Sequence, residues 1–585
     1  MIDIDVAPGK KGRLLVRCVN ASREALDAIQ SLLSTSYSPK YEGFFISLDD
    51  FDHFYKRMSQ FGANDEGQIT VDANNEIQQY QTKIGTLKEL KRAKPDWEFL
   101  ADIHGWKTKP YDDQLQCVKF HVARKRSIEG SETGIGKTLI LLYTYLYWRS
   151  QGEQRPALIL CMNSGKLDWE KEVLEHTNLK PLMVGNGSRQ IQADIERFKE
   201  GKHDVLILHY DCLFQDSRSR VSIFDMVSQL SFGFVAVDEV HTLKNPDSKR
   251  HKRIVSLLDG LSNIPIVCAT GTAVDGNPRS AWAPLRIIAN RSTHYFPSYV
   301  DFSRYFVVRE PRFFNKKKVM VDVGFRNLRR LRELMDPAMI RFLKSEVLGR
   351  PSKIFQNRVV ALTGEQAKLY NTVKRQVRSE VMTQDGDVIS LANAATKILR
   401  LRQIINHPSI IRDVTSYSGG SAKYAELDLV AEEILSNPEA KLLIWTQWKA
   451  AVDELVKRYK GYGSIAYYGG SDDKTVRDRV LSGKARVVVA IPEKAGTSVD
   501  WLKVCRTAVY IEKPWSLTLY RQSLDRIDRR ANTDPALIVT ISVENSVDQL
   551  IDAVLAKHQA LFDAVTLDEE KLLHLGKEEL LEYLD

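Results

Sequence analysis

A short glycine-containing segment, ETGIGKT at residues 132–138, has the composition of a phosphate-binding loop. Glycines let backbone N–H groups wrap phosphate oxygens, a lysine can reach the β- and γ-phosphates, and a threonine hydroxyl can ligate Mg²⁺. The residues that would form this cradle are Thr133, Gly134, Ile135, Gly136, Lys137 and Thr138. Ser131 stands where the strict pattern has its first glycine. The apolar run that follows predicts a buried helix whose N-terminus faces the phosphates.

Two adjacent carboxylates end a strand-like apolar run further along the chain, in FVAVDEVH at residues 234–241. Solvated acids at an ordinary strand end would be the simplest interpretation of this dipeptide alone. Next to a phosphate loop, however, an acid at this place can hold Mg²⁺, and its neighbour can orient or deprotonate the attacking water. We therefore assign Asp238 to the metal and Glu239 to the water.

A third candidate group lies near the C-terminus, in QSLDRIDRR at residues 522–530. Helical spacing would place Gln522, Arg526 and Arg529 near one face of a helix. Phosphoryl transfer builds negative charge on the equatorial oxygens, and an arginine supplied across an interface can neutralise it. A solvated basic helix face is the alternative for such a run. The pattern predicts that Arg526 and Arg529 complete the catalytic site.

The elements that must position these groups alternate between strand-like and helical patterns. Such alternation is typical of α/β lobes with parallel sheets, and it occurs twice, before and after a charge-rich helical stretch. The predicted organisation is a small N-terminal α+β domain (1–95), an α/β lobe that contains the phosphate loop (96–323), a helical segment (324–437), a second α/β lobe (438–565) and an acidic C-terminal tail (566–585).

The overall composition excludes several other classes of protein. With 43% hydrophobic and 27% charged residues over 585 positions, the chain is neither collagen-like, disordered nor a coiled-coil rod. Its net charge of +9 permits a nucleic-acid partner without requiring one. The cysteines are scattered singly, which favours neither a zinc site nor a disulfide framework. The sequence offers no run of the ~18 apolar residues that a membrane helix needs and no signal-peptide core, so we predict an intracellular protein without membrane contact.

Taken together, these motifs resemble the superfamily 2 helicases and, within them, the Swi/Snf family of DNA translocases. The resemblance extends over residues 107–557, with the motifs in the family's order. DEVHTLKN (238–245) resembles the family's DEAH-x-x-KN, and ATGTAVDGNP (269–278) resembles motif III. LRQIINHPS (401–409) resembles the family's LRQ-x-x-NHP, which is not part of the general helicase core. Departures in motifs Ia, III, V and VI suggest a divergent viral or bacterial branch.

The resemblance implies that both lobes are RecA-like, that the first binds ATP, and that residues 324–437 are a helical insertion of Swi/Snf type. It also implies an ATP site with Mg²⁺ between the lobes. Gln114, in a segment that resembles the Q motif, would read the adenine, and Gly496, Asp500 and Gln522 would also contact the nucleotide. Duplex or branched DNA would be the partner. The implied phosphate-backbone contacts, which rest on motif position alone, are Ser164, Lys166, Thr446, Lys494, Thr497 and Ser498. Trp448 and Trp515 lie beside motifs too, but a tryptophan there more often belongs to the core of a lobe.

The N-terminal unit resembles more weakly the recognition domain of the phage helicase UvsW and the HARP domain of annealing helicases, through its strand–helix pattern and a few aromatic residues. This favours a translocase that remodels or anneals branched DNA in replication, recombination or repair. A DExH-type unwinding helicase and the motor of a defence or restriction complex are the alternatives. We expect a monomer to suffice, a cytoplasmic or nucleoid location in a bacterial or phage-infected cell (nuclear in a eukaryote), and a possible protein partner for the acidic tail.

Overall fold

The structure, a computed structural model, describes residues 3–9, 13–19, 21–61, 70–93, 97–101, 103–214, 222–261, 263–289, 296–314, 317–349, 353–382, 388–411, 417, 419–495, 501–528 and 534–566. Within these residues, one seven-stranded and one six-stranded parallel sheet form, each covered by helices. The predicted α/β class with two lobes is therefore confirmed. None of the helices described here is both long and apolar enough to cross a membrane.

The N-terminal unit is a small antiparallel sheet packed against two helices. Its elements are β1 (Asp3–Pro8), β2 (Arg13–Val19), α1 (Arg23–Gln30), β3 (Ser36–Ser38), β4 (Gly43–Ser47) and α2 (Leu48–Ser59). The strand order is β1-β2-β4-β3. The apolar runs at residues 13–19 and 43–48 predict β2 and β4, and the helical spacing at residues 22–34 and 49–61 predicts both helices. No pattern in the sequence predicts β1 or β3. The edge strand β3 has only three residues, too few for a period-2 pattern to be visible.

A single long helix, α3 (Val71–Arg92), joins this unit to the first lobe. Its first turns carry Ala73 and Ile77 into the hydrophobic core of the N-terminal unit. Its last turns carry Leu87 into the core of the first lobe. The polar composition of residues 74–94 predicts a helical linker. In the structure this helix is packed into two cores, and the predicted boundary at residue 95 falls after an element that both units share.

The first lobe contains the phosphate loop and a parallel sheet buried on both faces. Its strands are β5 (Arg126–Glu129), β6 (Ala157–Cys161), β7 (Pro181–Met183), β8 (Val205–His209), β9 (Phe234–Val237) and β10 (Ile266–Ala269). Its helices are α4 (Trp97–Ala101), α5 (Asp112–Arg124), α6 (Lys137–Ser150), α7 (Lys166–His176), α8 (Ser188–Lys199), α9 (Ile223–Ser228), α10 (Lys249–Gly260), α11 (Trp282–Ile288) and α12 (Tyr299–Phe306). Burial on both faces explains why β6, β8, β9 and β10 read as continuous apolar runs, whereas β5 is half polar and β7 has only three residues.

The segment between the lobes is less uniformly helical than predicted. It contains a hairpin, β11 (Val307–Phe314) and β12 (Lys317–Phe325), then α13 (Leu328–Met335), β13 (Met339–Ile340), α14 (Lys344–Leu348), β14 (Lys353–Val360), α15 (Gly364–Met382), α16 (Val388–Asn406) and α17 (Ala422–Leu435). β13 extends the first sheet, which has the order β13-β5-β10-β9-β6-β8-β7. β14 joins the second sheet instead. The described part of residues 324–437 is therefore divided between the two lobes rather than forming a separate helical insertion.

The second lobe repeats the parallel arrangement. Its elements are β15 (Leu442–Trp445), α18 (Lys449–Arg458), β16 (Ser464–Tyr467), α19 (Asp473–Leu481), β17 (Val487–Ala490), α20 (Pro492–Ala495), β18 (Thr507–Tyr510), α21 (Leu517–Leu524), β19 (Ala536–Val543) and α22 (Val547–Thr566). The sheet order is β14-β19-β18-β15-β17-β16. α22 packs Ile551 and Phe562 into the core of the first lobe, against Leu331 of α13. It therefore ties the lobes together; the predicted acidic tail beyond it lies outside the described residues.

Candidate active site

The phosphate loop connects β5 to α6 and has the backbone that its glycines permit. Gly134 and Gly136 have φ of 94° and 100°, a left-handed region that favours glycine. A Cβ on Gly136 would lie 2.3 Å from Nε2 of Gln114, so this position has no room for a side chain. Lys137 begins α6, and its Nζ donates to the carbonyl of Ser131 at 3.0 Å. The loop thus has the open backbone, the lysine and the helix N-terminus that a triphosphate requires.

A buried ion pair beneath the loop was not predicted from the sequence. His121 Nε2 lies 2.9 Å from Glu129 Oε2, and both side chains are fully buried. The other oxygen of Glu129 accepts from the backbone N–H of Ser131 at 2.9 Å. Burial opposes ionisation of Glu129, but the hydrogen bond and charge of His121 outweigh it and lower the carboxyl pKa. The sequence feature that could have indicated this pair is Glu129, a charged residue at the end of the strand that leads into the loop.

The two acids after β9 have different environments. Asp238 accepts from Nε1 of Trp169 at 2.9 Å, whereas Glu239 has Nδ1 of His241 at 3.2 Å from its Oε2. Burial and the neighbouring Glu239 charge raise the pKa of Asp238 to about 6. Burial also opposes ionisation of Glu239, but His241 and Lys137 more than offset it, so the pKa of Glu239 lies well below its usual value. Glu239 is therefore ionised at neutral pH and can accept a hydrogen bond from water.

The arginine group from the second lobe is arranged differently from the prediction. α21 ends at Leu524, so Gln522 is helical while Arg526 lies in the turn that follows. The last backbone hydrogen bond tightens to three residues, from the Arg526 N–H to the Ser523 carbonyl at 3.4 Å. Arg526 Nε donates to the carbonyl of Gln522 at 3.3 Å. The expected common helix face is wrong for this pair, and Arg529 lies outside the described residues.

These groups converge on one cavity of about 380 Å³ between the lobes. The phosphate-loop residues 133–138, Asp238 and Glu239 line it from the first lobe, and Arg526 lines it from the second. A second cavity of about 490 Å³ contains Gln522 in its wall and shares Thr133 and Glu239 with the first. The predicted catalytic residues that the structure describes are therefore brought together, although they are far apart in the sequence.

The donor set fits a nucleotide with Mg²⁺. Thr138 and Asp238 line the same cavity, and Mg²⁺ is usually held by one or two protein groups together with phosphates and water. Within the described part of the chain, no cluster of three or more His, Cys, Asp or Glu side chains offers a complete metal cage. A Cβ on Gly271 would lie 3.0 Å from Thr133 Oγ1, so glycine also keeps the wall next to the loop open.

Gln114 is held differently from the expected adenine contact. Its Oε1 accepts from the backbone N–H of Tyr111 at 3.0 Å, and its Nε2 donates to the Ile135 carbonyl at 2.7 Å. The side chain is 2% exposed. In this structure it braces the phosphate loop against α5. Gly496 and Asp500, the other nucleotide contacts implied by the resemblance, lie outside the described residues.

Two of the expected DNA contacts are wrong in this structure because their side chains are buried. Lys166 is 4% exposed and its Nζ donates to the Val184 carbonyl at 2.7 Å and to Asn186 Oδ1 at 3.0 Å. Thr446 is buried, and its hydroxyl donates to Glu512 Oε2 at 2.9 Å. Ser164 is exposed. Thr497, Ser498 and the side chain of Lys494 lie outside the described part.

The LRQIINHP segment has a structural role at the end of α16. Asn406 is buried; its amide donates to Glu512, and its Oδ1 accepts from the Tyr424 hydroxyl at 2.8 Å. Arg402 lies over the rings of Trp448 and Trp515, 6.0 and 5.4 Å from their centroids. The tryptophans thus contact a buried arginine, which agrees with the core interpretation. This segment fixes α16 and α17 to the second sheet.

The chain is similar to several known proteins. A family model described as SNF2-related domain matches residues 113–410. The putative ATP-dependent helicase/translocase YwqA of Bacillus subtilis is 22% identical over 464 residues, which are 77% of this chain and 48% of that protein. Human DNA annealing helicase and endonuclease ZRANB3 is 27% identical over 279 residues, 47% of this chain and 24% of its own length. A solved Sulfolobus solfataricus SWI2/SNF2 ATPase core in complex with dsDNA covers 82% of this chain and 98% of its own at 19% identity, with a TM-score of 0.35.

Two parallel-sheet lobes with a phosphate loop, an acid pair and an arginine between them define the core of a superfamily 2 helicase. Because the family model matches more than half of the residues of this chain, the chain belongs to the SNF2-related, or Swi/Snf, family. It spans about half the length of the curated relatives it matches, 48% of YwqA and 42% of a Mycoplasma genitalium helicase. The resemblance of the N-terminal unit to UvsW and HARP domains stays a prediction, and two of the aromatic residues behind it, Phe44 and Phe45, are buried.

Proposed function

We propose that this protein is an ATP-dependent translocase on double-stranded DNA that remodels or anneals branched DNA, such as replication forks and recombination intermediates. The observation that carries the proposal is the meeting of Lys137 and Glu239 with Arg526 around one cavity between two lobes. When catalytic groups come from two lobes, hydrolysis can be coupled to lobe movement, which a motor on DNA requires. The similarity to ZRANB3, a DNA annealing helicase, favours a DNA substrate, and YwqA is named a helicase/translocase.

Five residues that line the cavity have surroundings that support a role in ATP hydrolysis. Bound ATP supplies the anhydride, and Mg²⁺ at Asp238 and Thr138 would neutralise charge on its phosphates. Lys137 binds the β- and γ-phosphates from the start of α6. Glu239, kept ionised by His241 and Lys137, accepts a hydrogen bond from the attacking water and orients it. Arg526 approaches from the second lobe and stabilises the charge that develops on the transferred phosphoryl group.

The test is steady-state ATP hydrolysis at one fixed salt concentration with no nucleic acid, single-stranded DNA, blunt duplex, a model fork and structured RNA. A fixed salt matters because backbone contacts make binding strongly salt-dependent. We expect strong stimulation by duplex and more by the fork, with the Lys137→Ala variant inactive throughout. Stimulation only by single strands or RNA would instead support an unwinding helicase. If no nucleic acid stimulated hydrolysis, the translocase proposal would fail, and a motor that needs a defence-complex partner would become the better explanation.

We also propose that the N-terminal unit contributes to recognition of branched DNA. Tyr37 is half exposed and Lys40 is exposed nearby, an aromatic ring and a charge of the kind that contact unpaired bases and phosphates. The double variant Tyr37→Ala/Lys40→Ala should keep basal and duplex-stimulated hydrolysis but lose the fork excess. Lys202→Ala, which removes an exposed lysine of the first lobe, is the matched control. An unchanged fork preference in the double variant would contradict this role.

A further inference from the structure

A buried cluster of two lysines and two aspartates lies beside the nucleotide cavity. Lys344 Nζ lies 3.1 Å from Asp525 Oδ1 and 2.9 Å from Asp528 Oδ2. Lys353 Nζ lies 3.0 Å from the same two oxygens. The side chain of Lys344 is 2% exposed and that of Asp528 is 5% exposed. All four charges are thus paired crosswise and removed from water.

The cluster connects the phosphate loop to the arginine turn. The backbone N–H of Lys344 donates to Glu132 Oε2 at 2.8 Å, and a Cβ on Gly134 would lie 3.0 Å from Lys344 Cε. The backbone of Lys344 is therefore attached to the loop, while its ammonium group reaches the second lobe. There it also donates to the carbonyl of Asp528 at 2.9 Å. One residue thus contacts both the segment that would hold the phosphates and the segment that carries the arginine.

Lys353 holds the same aspartates from the side of the second lobe. It is the first residue of β14 and is paired with Ala536 of β19. Lys344 and Lys353 lie at the two ends of the segment that connects the lobes, and both bind the turn that follows α21. Asp525 and Asp528 lie on the two sides of Arg526 in the chain. Binding of both carboxylates and of a carbonyl explains why the helix ends at Leu524 instead of continuing through the motif.

Stability alone is a poor explanation for this cluster. Removing four charges from water costs several kcal/mol per ion, and a well-packed apolar group is often as stable or more stable in the same place. The attraction is nonetheless strong, because burial would raise the pKa of Asp525 and the two lysines instead lower it well below its usual value. What the ionic arrangement offers is a defined geometry for the turn, because each carboxylate can only be satisfied where the ammonium groups are.

We propose that Lys344 and Lys353 are positioning residues for Arg526. By binding the aspartates on both sides of it, they hold the turn so that the guanidinium group enters the nucleotide cavity opposite Lys137. The inference rests on the proposed hydrolysis of ATP in that cavity. It adds residues that do not belong to the motifs recognised in the sequence, and Lys353 lines the cavity of about 490 Å³ that also contains Gln522. Because an arginine supplied across an interface is worth about 10³- to 10⁵-fold in rate, and a shift of ~1 Å can cost about 10²-fold, loss of the cluster should lower kcat by about 10- to 100-fold.

The experiment is a kinetic double-variant cycle on the full chain with Lys353→Met and Arg526→Ala, under the nucleic-acid condition that gives maximal hydrolysis. If Lys353 acts through Arg526, Lys353→Met lowers kcat about 10- to 100-fold in the wild type and less than about threefold in the Arg526→Ala background. The Kd for the probe ATPγS should change less than about threefold, because Lys137 and the loop are intact. Lys353→Arg, which keeps the charge, should recover part of kcat.

Controls separate this role from folding and from failure of the proposed function. Lys513→Met removes a lysine paired with Asp552 at 2.7 Å in the same lobe and should leave kcat unchanged. If Lys353→Met does not fold, Asp528→Asn tests the same cluster with its carbonyl contact kept. If the wild-type protein did not hydrolyse ATP, the proposed function itself would be wrong. With an active wild type, an unchanged kcat, equal losses in both backgrounds, or a parallel loss of ATPγS affinity would each overturn the positioning role.

Discussion

The N-terminal unit is joined to α13 by a buried ion pair, and breaking that pair is the clearest test of how rigidly the unit is held. Arg330 Nε and Nη2 donate to Asp50 Oδ1 at 3.0 and 2.7 Å, and the side chains are 8% and 2% exposed. The other oxygen of Asp50 accepts from the backbone N–H of Ser34 at 2.9 Å. Asp50→Asn keeps the size of the side chain but removes the buried counter-charge of Arg330, which retains the partly exposed Glu333 at 3.3 Å from its Nη1.

The magnitude follows from this burial. Removing one partner of a buried pair costs about 3–5 kcal/mol, whereas an exposed pair is worth at most ~1 kcal/mol. Because Glu333 still faces Arg330, the lower end of this range applies. At about 1.4 kcal/mol for each factor of ten, amides that exchange through opening of this contact should exchange roughly 10²-fold faster. The effect should be confined to α2, β4 and α13. α3 still anchors the unit through Leu87 in the core of the first lobe.

Amide hydrogen exchange followed by mass spectrometry is the assay, with β15 and β18 of the second lobe as internal references. Lys199→Met, which breaks an exposed pair with Glu196, is the matched control and should alter exchange less than about fivefold. Unchanged exchange in α2 and α13 would refute the argument that this contact holds the unit. Equal acceleration in the second lobe would show instead that the substitution destabilises the whole chain.

The remaining predictions concern single side chains. Lys137→Ala and Glu239→Gln should both abolish ATP hydrolysis, but Glu239→Gln should still bind ATP in equilibrium dialysis; full turnover by it would disprove its assigned role. Gln114→Ala removes the brace on the Ile135 carbonyl and should weaken ATPγS binding by roughly tenfold, a loss of about 1.4 kcal/mol that fluorescence titration would detect. Lys166→Met should lower the thermal midpoint of unfolding, because the Lys166 ammonium group donates to three acceptors in the loop after β7. It should leave the Kd for duplex DNA unchanged. Weaker DNA binding by this variant would show that Lys166 contacts DNA after all. The pKa of Asp525 is lower in the folded protein than in the unfolded chain, where it is about 4, so ionised Asp525 stabilises the fold at every pH above about 4. The difference in thermal midpoint between wild type and Asp525→Asn should therefore be constant above about pH 4 and become smaller only below it.

Local motifs were predictable because their chemistry is contained in a few consecutive residues. The strand, glycine loop and helix around Lys137 form one continuous piece, and the acids after β9 follow a strand whose apolar run is evident in the sequence. The parallel sheets were predictable too, since strands buried on both faces leave uninterrupted apolar runs. None of these features depends on which distant segment is the neighbour.

Strands β13 and β14 show where the sequence was insufficient. β13 has two residues, too few to show a period, and most of the eight residues of β14 are exposed, so no buried face repeats along it. Only pairing decides that β13 extends the first sheet and β14 the second. Likewise, α3 reads as a polar linker, because its apolar residues are divided between two cores at its opposite ends. A periodicity argument assumes one buried face along a helix, and α3 does not have one.

By itself, the sequence determined the family, the two lobes and the identity of the groups that would bind and cleave a nucleotide. Only the tertiary structure decided which side chains contact those groups and which predicted DNA-binding residues are buried away from the surface. Lys166 and Thr446 have the residue types of phosphate contacts, but the fold turns them toward loop carbonyls and Glu512. The turn at Arg526 departs from the helix predicted for it because lysines far away in the sequence bind its aspartates. Contacts of this kind join residues that are distant in the chain, and no local pattern contains them.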